Sequence, residues 1–462
     1  MNRYLITGIP HWEDSGTGDL VRYLMPAARE RGFTLVEQGP FLQGTPQMDA
    51  PAALKDVVST FSKDGFERVL RSIRDAEIVL FHPQHLGFQN FLRLIENNRK
   101  VGVFVLDASF FCIQSYNHRE GRVGECFDCL GDVSKCAAEC RPMPSHYSRE
   151  ENLRYLGLFK ELSDCVEFFV QCPSYGGLLE RHFGPKVRWH LVGMRVPGVL
   201  ERLDEAFLPG SGGYDVVYHA SSLPAKGVRF ALELARRLRH RSFLFPDSRS
   251  TVRQSAPDAA IGGNITFKPL RWNAGLREEV ERCGLVLCPS LWSASIEGAL
   301  IKSIAHNGNV AVAASTFGFE QELPSAGILR LPLEMDEAAR LLDGFLERKG
   351  DMRSVSRPWL KEYMRSHDPS RLFDWFGEEE PLPSSSGPAH DFVPEMLSIQ
   401  KSTETALAQL MVKLVKGLPG FYAEDRWVAL AVRVLRPARR AYRLARNFLR
   451  LFGIKRRRVQ EK

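Results

Sequence analysis

Three features are missing from this 462-residue sequence, and each absence narrows what the protein can be. No apolar run approaches the roughly 18 residues that a membrane-spanning helix needs. The N-terminal stretch lacks the basic-then-apolar form of a signal peptide, because the short apolar segment 4–9 gives way to polar residues. Upstream of Glu424 there is no basic stripe with interleaved aromatic residues, so nucleic acid is not an expected partner. We therefore expect a cytoplasmic protein.

The positive charge is concentrated near the C-terminal end. From Glu424 to Lys462, thirteen Lys and Arg residues stand against three acids, a net of +10, so the rest of the chain carries −3 of the overall +7. Apolar residues recur at three- and four-residue spacing in 425–452, and most of the arginines lie off that stripe. Such a basic amphipathic helix suits an anionic membrane surface at the inner face of the membrane. The alternative is a helix packed on another subunit or on the protein's own body.

Strand and helix patterns alternate along most of the chain, which is typical of an α/β protein with parallel sheets. A Gly/Ser/Pro cluster at 209–213 marks a boundary between two domains, 1–205 and 206–376. The composition then changes to a linker rich in Ser, Pro and Glu at 377–395. The remaining residues, 396–462, form the predicted helical tail.

The segment 285–313 predicts one strand-helix-strand step of a parallel sheet, with the helix beginning at about Ser295. Ligands of such sheets bind beyond the carboxyl ends of the strands, where helix N-termini lie. The unpaired N–H groups from Ser295 through Glu297 to Gly298 would form an anion site, and Gly298 would let a phosphate approach the backbone closely. Lys302 lies further along the same helix. The alternative is that this helix start is an ordinary feature of α/β enzymes.

The run P-S-L-W-x5-G-x3-K-x2-A-x2-G within that segment resembles the nucleotide-sugar-binding segment of family 4 glycosyltransferases of the GT-B fold. The resemblance implies two Rossmann-like doubly wound domains facing each other, with 369–376 crossing back onto the first domain. It also implies transfer of a sugar, hexosyltransferase-like, from a nucleoside-diphosphate sugar donor. The match is partial. Lys302 stands where the second residue of the family's Glu-x7-Glu element would fall, and the first is either replaced by Ala294 or displaced to Glu297.

A second resemblance lies at the start of the second domain. Lys226 and Gly227 match the end of the family's G-R-x4-K-G loop, whose cations neutralise the leaving diphosphate, while Ser221 occupies the arginine position. Lys302 could supply the missing charge, because a leaving nucleoside diphosphate needs cationic stabilisation. The alternative is a solvent-facing lysine at position 226.

Strand ends of the first domain supply the candidate acceptor side. The resemblance implies a His-Asp pair after one strand. Here Leu106-Asp107 occupies that place, so the histidine would have to be His82 or His85, unless both are merely solvated. Gly16 and Gly18 at the first strand-to-helix turn would let the backbone approach the donor phosphates or the acceptor. The alternative for these glycines is a tight turn that needs positive φ.

Four cysteines punctuate a polar loop at 112–144 in the pattern Cys126-x2-Cys129-x6-Cys136-x3-Cys140. In a cytoplasmic protein such spacing favours a metal over disulfides, because closely spaced thiolates can complete a tetrahedral zinc site. We expect a structural zinc ion that holds the loop shut over the acceptor side. An iron–sulfur cluster and four free thiols remain the alternatives.

These observations predict a glycosyltransferase acting on a hydroxyl acceptor, a glycan or a lipid-linked one, in polysaccharide or lipid-linked glycan assembly. Lys226, Lys302 and the helix start would stabilise the diphosphate, and Glu297 would contact the sugar or the ribose. Asp107 with a histidine would face the acceptor. A different class is a catalytically degenerate GT-B protein acting as a binding or scaffold subunit, which the incomplete motifs allow. A nucleotide-sugar epimerase is a weaker third hypothesis.

Overall fold

The computed structural model describes residues 2–13, 15–38, 57–60, 63–206 and 213–377. The chain divides into two units, Met1–Ser398 and Ile399–Lys462, and the structure below is that of the first unit. The predicted tail at 396–462 and, apart from residue 377, the predicted linker lie outside the described residues. Within the described ranges, no helix is both long enough and apolar enough to cross a membrane.

The first half of the unit is built on a parallel sheet of seven strands in the order β3-β2-β1-β4-β5-β6-β7. Its central strands are buried along their whole length, which is typical of a sheet covered by helices on both faces. The strands are β1 (Arg3–Thr7), β2 (Phe33–Gln38), β3 (Val57–Thr60), β4 (Glu77–Leu80), β5 (Lys100–Phe104), β6 (Glu167–Val170) and β7 (Trp189–Leu191). The helices are α1 (Gly16–Glu30), α2 (Lys63–Ser72), α3 (Pro83–Leu86), α4 (Phe88–Glu96), α5 (Arg149–Glu161), α6 (Pro173–Phe183) and α7 (Val199–Asp204).

The second half repeats the architecture with a six-stranded parallel sheet in the order β10-β9-β8-β11-β12-β13. The strands are β8 (Val216–Tyr218), β9 (Phe243–Phe245), β10 (Ile265–Phe267), β11 (Leu285–Leu287), β12 (Val310–Ala313) and β13 (Leu329–Leu331). The helices are α8 (Val228–Arg237), α9 (Arg249–Ser255), α10 (Leu276–Arg282), α11 (Gly298–His306), α12 (Met335–Glu347) and α13 (Arg353–Ser366). The predicted fold class of two doubly wound α/β sheets is therefore confirmed.

Strand order fixes where ligands can bind. In the first sheet the order reverses between β1 and β4, and in the second between β8 and β11. At such a switch point the connections leave in opposite directions, which opens a crevice beyond the carboxyl ends of the strands. The loops that follow β1, β4, β5, β8 and β11 therefore lie where a ligand would bind.

The segment after α13 returns to the first sheet, as expected. Phe373 and Phe376 pack on Phe33 of β2, with ring centroids 4.9 Å and 5.1 Å apart. Arg3 of β1 donates a hydrogen bond to the carbonyl oxygen of Phe376 at 3.0 Å. The end of the described chain thus completes the core of the half in which the chain began.

Candidate active site

Lys226 lies at the carboxyl edge of the second sheet, at the end of a 3-10 turn between β8 and α8. The next residue, Gly227, has a φ of 74°, and a Cβ there would run into the carbonyl oxygen of Pro289. Only glycine fits this position, because it is both left-handed and pressed against backbone. The Lys226-Gly227 pair found in the sequence is therefore a fixed turn that determines where the lysine side chain starts.

Helix α11 begins at Gly298, with Glu297 as its N-cap residue, so the predicted start at Ser295 is wrong. Ser295 is instead turned toward the first half of the unit: its hydroxyl lies 3.0 Å from the carbonyl oxygen of Leu106 and 2.6 Å from Oε1 of Gln171. The unpaired N–H groups of the helix start consequently begin at Gly298. Apart from its chain neighbours and the backbone of its own helix, no atom of the described residues lies within 4 Å of a Cβ placed at that glycine.

Glu297 and Lys226 form a buried ion pair. Lys226 Nζ donates to Glu297 Oε1, and the two side chains are 14% and 8% exposed. The same oxygen accepts hydrogen bonds from Ser290 Oγ at 2.7 Å and Trp292 Nε1 at 3.0 Å. Burial alone would raise the pKa of Glu297, but the Lys226 charge and these donors hold that pKa below its ordinary value. Glu297 is thus a carboxylate in the folded protein.

Two aromatic rings close around the same lysine. Its Nζ lies 4.7 Å from the ring centroid of Trp292 and 5.0 Å from that of Tyr116, distances at which a cation is attracted to a ring face. Tyr116 belongs to the loop of the first half. Burial raises the pKa of Tyr116, and the charges of Lys226 and Asp107 both act on its phenol. A tyrosine of the first half therefore packs against the lysine of the second half.

Lys302 occupies a different neighbourhood. Its Nζ lies 5.3 Å from the ring centroid of Trp272, which also stacks on the His219 ring at 5.2 Å and meets the His306 ring edge-on at 4.9 Å. Burial, followed by the charges of Lys302 and His306, lowers the pKa of His219 to about 3, so this imidazole is neutral. The sequence predicts that Lys302 substitutes for the arginine that is missing at Ser221. The structure sets its ammonium beside an aromatic surface rather than in the ion pair of Glu297.

On the facing edge, the structure brings His82 and Asp107 together. His82 follows β4 with a left-handed backbone, φ 47°. Its Nε2 lies 2.8 Å from Thr17 Oγ1, and its Nδ1 lies 3.6 Å from Asp107 Oδ2. Burial lowers the pKa of His82, while the charges of Asp107 and Glu13 partly oppose that effect. A neutral imidazole between a hydroxyl and a carboxylate can accept a proton.

His85 lies in aromatic packing. Its ring centroid is 5.2 Å from that of His146 and 5.6 Å from that of His82. The backbone of His85 is pressed against Gly8, because a Cβ at Gly8 would overlap it. Of the two candidate histidines, His82 is the one that faces Asp107.

Gly16 and Gly18 open helix α1, and neither has a positive φ, so the turn predicted as their alternative role is wrong. Ser15 caps the helix by accepting from the Gly18 N–H at 3.1 Å. A Cβ at Gly18 would collide with the carbonyl oxygen of Glu13. Gly18 is therefore needed for close backbone packing beside Thr17, the residue that contacts His82.

The loop 112–144 joins the two halves, which the sequence did not indicate. Asn117 Nδ2 donates to Ser293 Oγ at 2.8 Å, and the Ser293 N–H donates back to Asn117 Oδ1 at 3.0 Å. Glu125 accepts from Ser293 Oγ at 2.6 Å and from the Phe317 N–H at 3.1 Å. These pairs are separated by more than 160 residues, so no local pattern could have revealed them. The loop thus links the two halves through side-chain hydrogen bonds.

The four predicted metal ligands line a common cavity in this loop, beside Cys112 and His118: Cys126, Cys129, Cys136 and Cys140. All four are buried free thiols. Burial, followed by the neighbouring Cys136, raises the pKa of Cys140 to about 11. In the described part of the chain, however, no group of three or more His, Cys, Asp or Glu residues is arranged to hold a metal ion. The structure gathers the cysteines without forming the site.

Comparison with known proteins bears on the fold. No family model matches the chain, and neither does any curated protein. Sucrose-phosphate synthase (tll1590) from Thermosynechococcus elongatus is similar in structure, with a TM-score of 0.54 and 14% identity, covering 81% of this chain and 97% of that one. The apo structure of OtsA has a TM-score of 0.51 and 12% identity, covering 85% and 100%.

A third similar structure, trehalose-6-phosphate from E. coli bound with UDP-2-fluoro glucose, has a TM-score of 0.50 and 12% identity, covering 86% and 100%. The chain has the GT-B fold. In the GT-B arrangement of this chain, the contact between Ser295 and Leu106 brings the carboxyl edges of the two sheets together. His82 and Asp107 lie on one edge and Lys226 on the other.

Proposed function

We propose that this chain is a glycosyltransferase that moves a sugar from a nucleoside-diphosphate sugar to a hydroxyl group of a glycan or lipid-linked acceptor. The observation that carries the proposal is the juxtaposition of a buried lysine beside the start of α11 and a His82–Asp107 pair on the facing edge. The ring of Tyr116 lies 5.0 Å from Lys226 Nζ, and the charges of Lys226 and Asp107 both act on its phenol. The GT-B fold and the UDP-2-fluoro glucose bound in one similar structure support the same reaction class.

On the donor side, Lys226 and the N–H groups from Gly298 onward would bind the diphosphate. Both are fixed by the fold before the ligand arrives, the lysine by the Gly227 turn and the amides by α11. As the bond from the sugar to the diphosphate breaks, negative charge grows on the leaving oxygen. Preorganised positive groups at that point lower the barrier, because they need no rearrangement during the reaction.

On the acceptor side, neutral His82 would take the proton from the attacking hydroxyl. Asp107 would stabilise the imidazolium that forms, since its carboxylate lies 3.6 Å from Nδ1. Thr17 holds Nε2 at 2.8 Å in the absence of substrate and would yield that position to the acceptor hydroxyl. No resident metal is required for these steps.

The proposal is tested by titrating the full-length protein with nucleoside diphosphates and their sugars in a calorimeter, followed by an assay of sugar release and transfer. We expect one nucleotide to bind more tightly than the rest, and its sugar to be hydrolysed slowly or transferred. Tight binding of one nucleotide would name the donor. Absence of binding by every nucleotide would contradict the proposal.

A scaffold function is the second candidate, and one observation favours it. The lysine of the donor side is already neutralised by Glu297, and Ser293 and Ser295 are bonded to the other half. A degenerate protein would keep these contacts permanently. The same titration separates the two functions, because a scaffold would bind no nucleotide sugar.

The cysteine loop carries a proposal of its own, a structural zinc ion. The shared cavity and the Cys-x2-Cys-x6-Cys-x3-Cys spacing support it, although the thiols would have to move together to bind an ion. We expect protein purified without chelators and without oxygen to contain about one equivalent of zinc, and to lose thermal stability when the ion is removed. Elemental analysis that finds neither zinc nor iron would contradict the proposal. The Cys283→Ser variant, altered at a buried cysteine outside the loop, is the control.

We also propose that the protein lies peripherally at the inner face of the membrane, through the basic segment 425–452, which is outside the described residues. The expectation rests on the charge and the apolar spacing of the sequence. The full chain should co-sediment with vesicles that contain anionic lipid and not with neutral vesicles. Salt at about 0.5 M should release it, because that concentration shortens the electrostatic screening length to a few ångströms. Equal binding to neutral vesicles would contradict an electrostatic contact.

A further inference from the structure

The ammonium group of Lys226 is largely buried in this structure. Glu297 contacts it on one side, and the rings of Trp292 and Tyr116 lie 4.7 Å and 5.0 Å away. Its side chain retains only 14% of its exposure. A cation so enclosed is not available to an incoming anion unless one of these contacts is given up.

The contact that can be exchanged is the one with Glu297. Although Glu297 is the N-cap residue of α11, its side chain does not cap the helix and turns to Lys226 instead. The carboxylate therefore does not accept from the first amides of α11. Beside them, the Cβ position of Gly298 has open space within 4 Å. An anion could thus reach the helix start while Glu297 holds the lysine.

Electrostatics explains why a carboxylate is needed there in the absence of ligand. A buried ammonium without a counter-charge is strongly destabilising, because burial penalises the charged form. Glu297 supplies that charge, and donors from Ser290 and Trp292 keep it ionised. A donor diphosphate carries the same kind of oxygen anion, with more charge, and would satisfy Lys226 equally well.

We propose that Glu297 is an internal counter-ion that holds the place of the donor diphosphate on Lys226 and is displaced from it when the donor binds. This inference rests on the proposed function and assigns Glu297 a positioning role instead of a contact with sugar or ribose. Because Glu297 competes with the diphosphate for Lys226, it weakens diphosphate binding and so favours release of the nucleotide product. The two roles predict opposite effects of the same substitution.

The test is the Glu297→Gln variant, titrated with inorganic pyrophosphate, with uridine diphosphate and with the corresponding nucleotide sugar. Glutamine keeps the size and one acceptor oxygen but removes the competing charge. We expect pyrophosphate and the nucleoside diphosphate to bind roughly tenfold more tightly than to wild type, the size of effect of one charge-assisted hydrogen bond. Bound pyrophosphate should also raise the unfolding temperature of the variant more than that of wild type.

Matched variants identify the source of the effect. Glu281→Gln removes one negative charge from the same half, at a carboxylate that pairs with His306 and with Arg202 of α7, and it should leave these affinities unchanged. Lys226→Met combined with Glu297→Gln should abolish the gain. If Glu297→Gln alone is poorly folded, Glu297→Asp, which keeps the charge but shortens the reach, should show a smaller gain in the same direction.

The outcomes separate the two proposals. Weaker or equal binding of pyrophosphate by Glu297→Gln, in a protein whose wild type binds nucleotide, would overturn the inference alone. If Glu297→Gln loses affinity only for the nucleotide sugar, Glu297 contacts the sugar, and this result would also overturn the inference. If no variant binds any phosphate compound, the inference and the proposed function both fail. Tighter pyrophosphate binding without sugar transfer would support the inference and contradict the transferase.

Discussion

Replacing Lys226 with alanine is expected to lower kcat/KM for sugar transfer by about 10²- to 10³-fold, the usual cost of removing one preorganised charge stabiliser from a transition state. Lys226 is a largely buried cation that pairs with Glu297, the N-cap residue of α11. Because the lysine also meets the diphosphate before reaction, the affinity for nucleoside diphosphate should fall as well. Steady-state kinetics and calorimetry on the same preparation measure the two effects.

The single variant also leaves Glu297 buried without its partner, and loss of one member of a buried pair costs about 3–5 kcal/mol of stability. Lys226 is one of the groups that hold the pKa of Glu297 down, so without it the carboxyl would tend to protonate. Because the pKa of Glu297 is lower in folded wild type than in the unfolded chain, ionised Glu297 stabilises the fold above the ordinary pKa of Glu. This stabilisation is lost as the pH falls through the lowered pKa. The variant should lack this acid-side decline.

A charge-neutral double variant, Lys226→Met with Glu297→Gln, separates catalysis from folding. It removes both charges, so its melting temperature should return toward that of wild type while transfer stays low. Arg236→Ala, which removes an exposed cation paired with Glu233 on α8, should leave activity unchanged. Transfer restored by the double variant would contradict a role of Lys226 beyond holding Glu297.

The fold was predictable because its signals are local. Buried strands such as β11 and β12 are short apolar runs bounded by Gly, Pro or polar residues, and the helix between them carries a 3.6-residue period. Strands β2 and β3 were not predicted. Strand β3 has only four residues, VVST, and half of them are polar. Its own sequence pattern is therefore weak, and it is recognised as a strand only by its pairing with β2.

The site was only half predictable, and Ser295 shows why. A serine before an apolar period is a favourable N-cap by local preference. In the folded chain, the carbonyl of Leu106 and the side chain of Gln171 engage this hydroxyl, and the helix starts at Gly298. Tertiary contacts across the two halves outweighed the local signal. The ring of Tyr116 around Lys226 comes from an equally distant part of the sequence.

Replacing His82 with glutamine is expected to lower kcat by about 10²- to 10⁴-fold, the range for loss of a positioned general base, with little change in donor affinity. Glutamine can still bond to Thr17 but cannot carry the proton. His85→Gln should have a much smaller effect, because His85 packs on His146 and the Gly8 backbone. A larger loss of kcat in His85→Gln than in His82→Gln would indicate that His85 is the general base.

The pH dependence of kcat/KM tests the same assignment through the imidazole itself. Burial lowers the pKa of His82 below its ordinary 6.5, with Asp107 and Glu13 partly opposing. Since the neutral form is the active one, activity should fall only as pH drops through that lowered value and should be level above it. Asp107→Asn removes a charge that raises the pKa, so the acid limb should move to still lower pH. The charge of Asp107 acts on His82, so the acid limb of kcat/KM must move in Asp107→Asn if His82 is the titrating group. An acid limb at the same pH in wild type and variant would show that another group titrates.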